Sequence, residues 1–477
     1  MTTAMESLKQ YNWQPQPGAW RLVNELVDGF LARNHWAAAL SRRMKDETGT
    51  RFVDWVDHLC APEETVPGGL RAALLAAGFK HEPQPHAPEA YLNRDGLFPP
   101  VIVGSVKGHM LVAVKVESVV DFLQAHNLPF HEPESPEGAP LSRLRMGLAA
   151  REHGTELWAI ERHGLWGFDH CDSTAEQRVQ AQEHLNRLRT RRREFVDDAQ
   201  GFVEANRIVD AAIKDLGQDW TCDLFFKAER EFWMKRNRAA QVQFARQQKL
   251  GLGWANHDHH TYRSSREHFR ELVFLWEKLG FKCRERFYAG AEAGWGAQVM
   301  EQPVTGITTF NDVDMSPDEL MGDFAHQGFK NKRTGLGTVG LWCALHGEAV
   351  LQAGMHHLEA MFDWHALVEQ LERGGVRTMG PFTTFPYLRQ AFTEGERWPV
   401  KPERIERLLK YGLITPRQGE LFRVEGALGS HLENLERNDG FKGFNQEGVS
   451  DIIARTDARR VAEKSHAAAG THELAGA

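Results

Sequence analysis

The sequence predicts an α+β protein built on paired βαβββ modules, preceded by an α+β amino-terminal domain and a long helical region. Three observations predict it. From Trp254 onward, apolar alternation and helical periodicity follow in the order β-α-β-β-β, and Glu348–Glu359 restarts that order. Residues 174–250 are rich in Glu, Arg, Gln and Ala and nearly free of Gly and Pro, the composition of long helices. Residues 69–172 mix short helical and strand-like runs on the scale of one compact domain.

In chain order, residues 1–68 read as helical, because Trp20–Asn34 and Trp36–Lys45 carry apolar residues at helical spacing. Glu63–Gly69 (EETVPGG) is a breaker. Residues 69–173 form an α+β domain that a degenerate βαβββ module would also fit, with strands at Pro99–Val106, His109–Val116 and Glu156–Phe168. Residues 174–250 are a helical connecting region broken near Leu216–Asp219. Its aromatic residues Trp220, Phe225, Phe226, Phe232 and Trp233 are packing residues, and its basic run Arg187–Arg193 is expected to be a solvated helix face. Residues 251–455 carry the module pair. The first module has strand Trp254–Tyr262, helix Ser265–Leu279 and strands Lys282–Ala289, Gly296–Glu301 and Gly306–Asp312. The second has strand Glu348–Glu359, helix Asp363–Gly374 and late strands near Arg377–Met379 and Leu421–Leu428, around inserted helices at Lys401–Tyr411 and Pro416–Glu420. A disordered tail is expected over 456–477.

At 477 residues the chain exceeds one ordinary core, so two or three domains are expected. The net charge of −8 argues against nucleic acid as a partner, because phosphate-backbone affinity needs a basic excess. Five dispersed cysteines without a CxxC pair offer neither a disulfide framework nor a thiolate zinc site. No apolar run approaches a membrane span, and Met1–Asn12 lacks the pattern of a secretory signal, so the expected address is cytoplasmic. Oligomeric state is not legible.

Gly251–Arg263 (GLGWANHDHHTYR) is the stretch with most chemistry. On a regular strand His257, His259, Thr261 and Arg263 share one face, and Asp258, His260 and Tyr262 the other. An imidazole can hold a metal while the arginine two strand-steps on holds the carboxylate of its ligand. Combining the halves gives a metal set of His259, then His356 or His357, then Glu425 in Gly419–Leu428 (GELFRVEGAL). Two imidazoles and one carboxylate form the facial triad of non-haem Fe(II) oxygenases, although Zn²⁺ accepts the same ligands.

These segments resemble the vicinal oxygen chelate superfamily, and within it the 2-oxoadipate dioxygenase/decarboxylase family over about 254–430. His259-His260-Thr261-Tyr262-Arg263 is similar to that family's His-x-x-x-Arg motif. Gly354-Met355-His356-His357-Leu358 is similar to its second histidine strand, which favours His357. Pro386-Tyr387-Leu388-Arg389-Gln390-Ala391-Phe392 resembles its Leu-Arg-Gln segment, and Arg423-Val424-Glu425 its glutamate strand. The segment Asp439–Asn445 (DGFKGFN) is similar to the carboxy-terminal Gly-Phe-rich segment of 4-hydroxyphenylpyruvate dioxygenase. The amino-terminal 250 residues match neither family. The resemblance implies a non-haem iron dioxygenase that takes Fe(II), or another divalent metal, with O₂ as co-substrate, and oxidatively decarboxylates a small-molecule 2-oxo acid to a hydroxy acid. It also implies metal ligands His259, His357 and Glu425, Arg263 on a substrate carboxylate, and Arg389 and Gln390 as a second polar clamp. Phe441 and Phe444 are placed to close the pocket or to serve as core. Two other functions suit the same fold: an O₂-independent metal-dependent lyase or isomerase, and a non-enzymatic small-molecule-binding protein.

Overall fold

The computed structural model describes residues 12–106, 108–129, 141–167, 173–331, 333–445 and 456–459. Met1–Tyr11, Cys171 and all but four residues of the expected tail lie outside the described residues. The chain is organised by two large sheets. The amino-terminal sheet contains β1 (Val56–Ala61), β2 (Lys80–His81), β3 (Ala90–Leu92), β4 (Val101–Val103), β5 (Met110–Lys115), β6 (Leu144–Glu152) and β7 (Thr155–Arg162). The eight-stranded sheet contains β8 (His257–Arg263), β9 (Lys282–Tyr288), β10 (Trp295–Glu301), β11 (Thr308–Asp314), β12 (His357–Met361), β13 (Thr383–Phe385), β14 (Leu388–Phe392) and, after the short pair β15 (Arg397–Trp398) and β16 (Ala427–Leu428), β17 (His431–Arg437).

The larger sheet runs β13-β14-β17-β12-β8-β11-β10-β9. Each half follows one rule: the first strand is followed by a helix, then three strands, and the last strand lies parallel to the first. The halves meet where β12 pairs antiparallel with β8. That is a pair of βαβββ modules. The amino-terminal sheet, in the order β2-β3-β4-β1-β5-β7-β6, obeys the same rule. Strand β1 is parallel to β4, β5 is parallel to β7, and β1 and β5 pair antiparallel at the centre. Its second half shows three strands among the described residues. The strand β1 thus begins inside the segment whose periodicity predicts only helix, because six residues (VDHLCA) are too few to stand out beside the long helices around them.

Four helices, Ala175–Thr190, Asp198–Leu216, Gln218–Met234 and Arg238–Gln248, link the two sheets. Gly217, at φ 82°, makes the break between the second and third. These helices share the core of the larger sheet. Phe226 packs on His260, Tyr262 and Trp276, all buried, and each large aromatic side chain so buried contributes about 1.5–3 kcal/mol. The basic run departs from a solvated face. Arg191 and Arg193 are buried against Glu229, and Arg191 donates to the carbonyl of Val350 and Arg193 to that of Leu351. Burial alone would raise the Glu229 carboxyl, but the two guanidiniums hold it below its ordinary value. Among the described residues no helix is long and apolar enough to cross a membrane.

His163 ties the amino-terminal sheet to the third linking helix. It lies between Glu161 and Asp223, at 2.8 Å from each. Burial lowers its pKa, but the hydrogen bonds to Asp223 and Glu161 win and raise it from 6.5 to about 9. A folded-state pKa above the unfolded value makes this contribution complete below 6.5 and lost as pH rises through about 9. The melting-temperature gap between wild type and His163→Gln is therefore expected to narrow from pH ~6 to pH ~10. A constant gap across thermal melts in that range contradicts the assignment.

Candidate metal centre

Register brings the site together. His259 on β8 lies opposite Glu359 on β12, and Glu359 lies opposite Glu433 on β17. Three neighbouring strands thus present an imidazole and two carboxylates at one level, each side chain almost wholly buried. One ligand atom from each lies within 4.8 Å of the others. Glu359 Oε1 lies 2.6 Å from His259 Nε2 and 2.8 Å from His357 Nε2, and it accepts from Thr261 Oγ1 at 3.0 Å. His357 Nε2 is also 3.6 Å from Glu433 Oε2. His356 reaches only the far nitrogen of His357, Nδ1 to Nδ1 at 2.6 Å, so His357 is the member of that pair that faces the carboxylates.

A β-bulge aims His259. His259 pairs with Glu359 and His257 with Ala360, which leaves Asp258 as an extra residue with no partner of its own. The bulge turns His257 to the face of His260, 5.0 Å away between ring centroids, and not to the face of His259 as strict alternation predicts. It also brings the Asp258 carboxylate to 2.7 Å from His259 Nδ1. Arg437 fixes Asp258 with two bonds, at 2.8 and 3.1 Å. The proton of His259 is thereby drawn to Nδ1, and Nε2 is left as an electron-pair donor toward the carboxylates, the usual support of a metal-bound imidazole.

Electrostatics point the same way. Burial lowers His259 to about 4 and His357 well below its ordinary value, so both rings are neutral near pH 7. Burial, then the neighbouring Glu433, pushes Glu359 well above the carboxylate range, and burial pushes Glu433 up to about 7. Two buried carboxyls at contact distance resist joint ionisation unless a cation lies between them. Among the described residues, the buried Glu359 Oε2 has no hydrogen-bond partner. Neutral imidazoles, two electron-rich carboxyls and an orphan oxygen fit a divalent cation. A second trio, Glu277, Cys283 and His326, lies at the surface, where His326 already pairs with Glu277 and Asp323.

The remaining expected residues divide. Arg263 faces the same pocket. It lies 3.6 Å from Asp312 and 5.6 Å from the Trp342 ring, and among the described residues its Nε has no hydrogen-bond partner. Burial raises Asp312 to about 7, which weakens its hold on Arg263. Gln390 lines the pocket but touches a candidate ligand, donating to Glu433 Oε1 at 2.8 Å while accepting from Thr383. Arg389, next along β14, points to the other face, 3.8 Å from Glu436 and about one-third exposed, so it is no part of the pocket. Phe444 packs edge-on to His259, whereas Phe441 joins a separate cluster with Leu388 and Leu435.

Glu425 is the main correction. It ends the helix Pro416–Glu425, is 37 % exposed and pairs with Arg397 at 3.4 Å. Thr415 and Gln418 form a capping box with Pro416 at the first helical position, so this segment is helix and not the expected strand. The glutamates that do converge, Glu359 and Glu433, had a sequence signal. The tripeptide His-Leu-Glu occurs at 357–359 and again at 431–433, and alternation puts each glutamate on the face of its histidine. The start of the second module is also shorter than expected: Ala349–Ala353 is a helical turn, and the strand opens only at His357.

The amino-terminal sheet repeats the support without the ligands. Asp57 is an extra residue between Val56 and His58 on β1, accepts from His58 Nδ1 at 2.8 Å and is gripped by Arg162 of β7. Opposite His58, however, stands Ala113, and opposite Ala113 stands Trp158. Cys60, Leu111 and Ile160 complete an apolar cluster around them. Where the other half has two glutamates, this half has a methyl group and an indole.

No protein-family model matches the sequence, and no curated protein matches it. Solved structures that it resembles include methylmalonyl-CoA epimerase from Mycobacterium tuberculosis, at 12 % identity and a TM-score of 0.22, over 38 % of this chain and 88 % of that one. They also include a mutant of 4-hydroxymandelate synthase from Streptomyces coelicolor, at 12 % identity and a TM-score of 0.26, over 79 % of this chain and 86 % of that one. A third is an uncharacterised protein from Shigella flexneri, at 12 % identity and a TM-score of 0.23, over 50 % of this chain and 73 % of that one. The strand order itself defines the class: an α+β protein of paired βαβββ modules, the vicinal oxygen chelate fold.

Proposed function

We propose that this chain is a divalent-metal-dependent enzyme acting on a small 2-oxo acid, with Fe(II) as the metal and oxidative decarboxylation by O₂ as the reaction. The observation that carries the reading is the convergence of His259, Glu359 and Glu433, with His357 beside them, in a pocket that also presents Arg263. These four side chains would hold the metal. The bound metal would supply a Lewis acid for the paired oxygens of a 2-oxo acid and a place for O₂ to react. The rest falls to the protein. Arg263 binds a substrate carboxylate through its planar fork, for which the protonated form of Asp312 leaves it available. Asp258 and Arg437 hold His259 in one tautomer, and Gln390 fixes the Glu433 carboxylate. Phe287, Phe310, Phe392 and Phe444 wall the pocket against water. The space beside the candidate ligands is small, about 50 Å³.

The second reading, an O₂-independent lyase or isomerase, is favoured by one observation. Glu359 is a buried carboxyl beyond the two-histidine, one-carboxylate set, and its free Oε2 suits it to proton transfer. Oxygen uptake by anaerobically Fe(II)-loaded protein, offered 2-oxo acids one at a time, separates the two. Uptake matched by CO₂ release is expected. Arg263→Ala is expected to raise KM about tenfold or more, the loss of one charge-assisted contact. Turnover of a 2-oxo acid without O₂ transfers the assignment to the second reading, and a metal-loaded protein inert to every acid removes both.

A further inference from the structure

The two halves enclose a cavity of about 400 Å³ that is separate from the small metal pocket, though Phe444 lines both. Its volume is in the range of pockets that take metabolites, ~300–1,000 Å³. Seven Lys and Arg side chains line it against six carboxylates, and His163, protonated near pH 7, adds a further positive charge. The carboxylates are already engaged. Asp57 is held by Arg162, Asp258 by Arg437, Asp54 by Arg51, Glu301 by Arg284 and Lys442, and Asp223 by His163. Glu117 lies 3.5 Å from Arg230.

Two cations are left over. Among the described residues Lys115, at the end of β5, and Lys227, on the third linking helix, have neither an ion pair nor a hydrogen bond. Burial pulls the Lys115 ammonium below its ordinary pKa, opposed by the fields of Asp57 and Asp54, so it sits in the cavity wall at an energetic cost. Among the described residues, Arg230 Nε, 3.5 Å from Glu117, and His257 Nδ1 are also buried on this wall without a hydrogen-bond partner. The internal repeat isolates what is special. Lys115 follows the β5 residue that faces Val56, and its counterpart Met361 follows the β12 residue that faces His257. Both line the cavity, so one half has placed an ammonium where the other has a thioether.

We infer that this central cavity is a binding site for a small dianion, a phosphate or dicarboxylate, held between Lys115 and Lys227 with Arg230 beside them. Two ammonium groups without an ion pair in one cavity match two negative charges, and the Arg230 guanidinium beside them can add a further charge-assisted contact. The inference is independent of the metal chemistry. It is tested on the full chain by calorimetric titration with inorganic phosphate and, separately, succinate, against chloride at matched ionic strength. Saturable binding of one dianion per chain is expected, and the probe that binds more tightly names the class. Lys115→Met, which copies the residue of the other half, is expected to weaken binding about tenfold or more, as loss of a charged contact does. Lys227→Gln is expected to do the same, and Glu433→Gln to bind as wild type does. Unchanged affinity in Lys115→Met and Lys227→Gln, or no saturable binding of either probe to wild type, overturns the inference.

Discussion

Glu433→Ala is expected to abolish metal binding and metal-dependent turnover, whereas Glu425→Ala leaves both unchanged. Glu433 is buried on β17, level with His259 and Glu359, and its carboxylate is held by Gln390. Loss of such a ligand should exceed the ~10–100-fold that outer support residues cost. Glu425 stands at an exposed helix end, where substitution stays within about 0.5 kcal/mol. Metal content after Fe(II) loading, read beside the thermal melt, checks both. The apo form of Glu433→Ala should be no less stable than apo wild type, because it relieves one of two crowded carboxyls. Full metal occupancy in Glu433→Ala, or its loss in Glu425→Ala, would reverse the assignment.

The second large effect is expected away from the ligands. Asp258→Asn keeps an acceptor near His259 Nδ1 but removes the charge that favours that tautomer and leaves Arg437 buried without its partner. Metal affinity should fall by about 10–100-fold. The repeat supplies the control. Asp57→Asn breaks the same kind of Asp–His–Arg link in the other half, beside Ala113 and Trp158, and should leave metal affinity untouched while lowering stability. Equal affinity loss in both variants would show a general effect on folding.

How far the site was legible depended on the element that carries each residue. His259 and Arg263 lie on a strand whose chemistry is concentrated in one short run, and two-residue spacing puts both in the pocket. The restart of the module left His356 and His357 as alternatives, and the strand geometry turns His357 to the carboxylates. Glu425 was misplaced because a capping box and a proline turned the expected strand into a helix, and the true last strand opens six residues later at His431. Arg389 and Gln390 are neighbours on one strand, so the pleat admits only one of them to the pocket.

The sequence by itself determined the α+β class, the order of the module pair, the helical middle and the histidine on the first strand of each half, because these follow from local periodicity and composition. Tertiary structure decided which carboxylates meet those histidines, since that depends on strand register across β8, β12 and β17 and the repeated His-Leu-Glu gives only the face of each glutamate. It also decided the orientation of His259, which rests on a bulge at Asp258 that strict alternation excludes, and on an arginine 179 residues away. The repeat in the amino-terminal half shows the same division. Its Asp-His pair is written in the chain, but the methyl and indole that replace the glutamates become visible only when β1, β5 and β7 lie side by side.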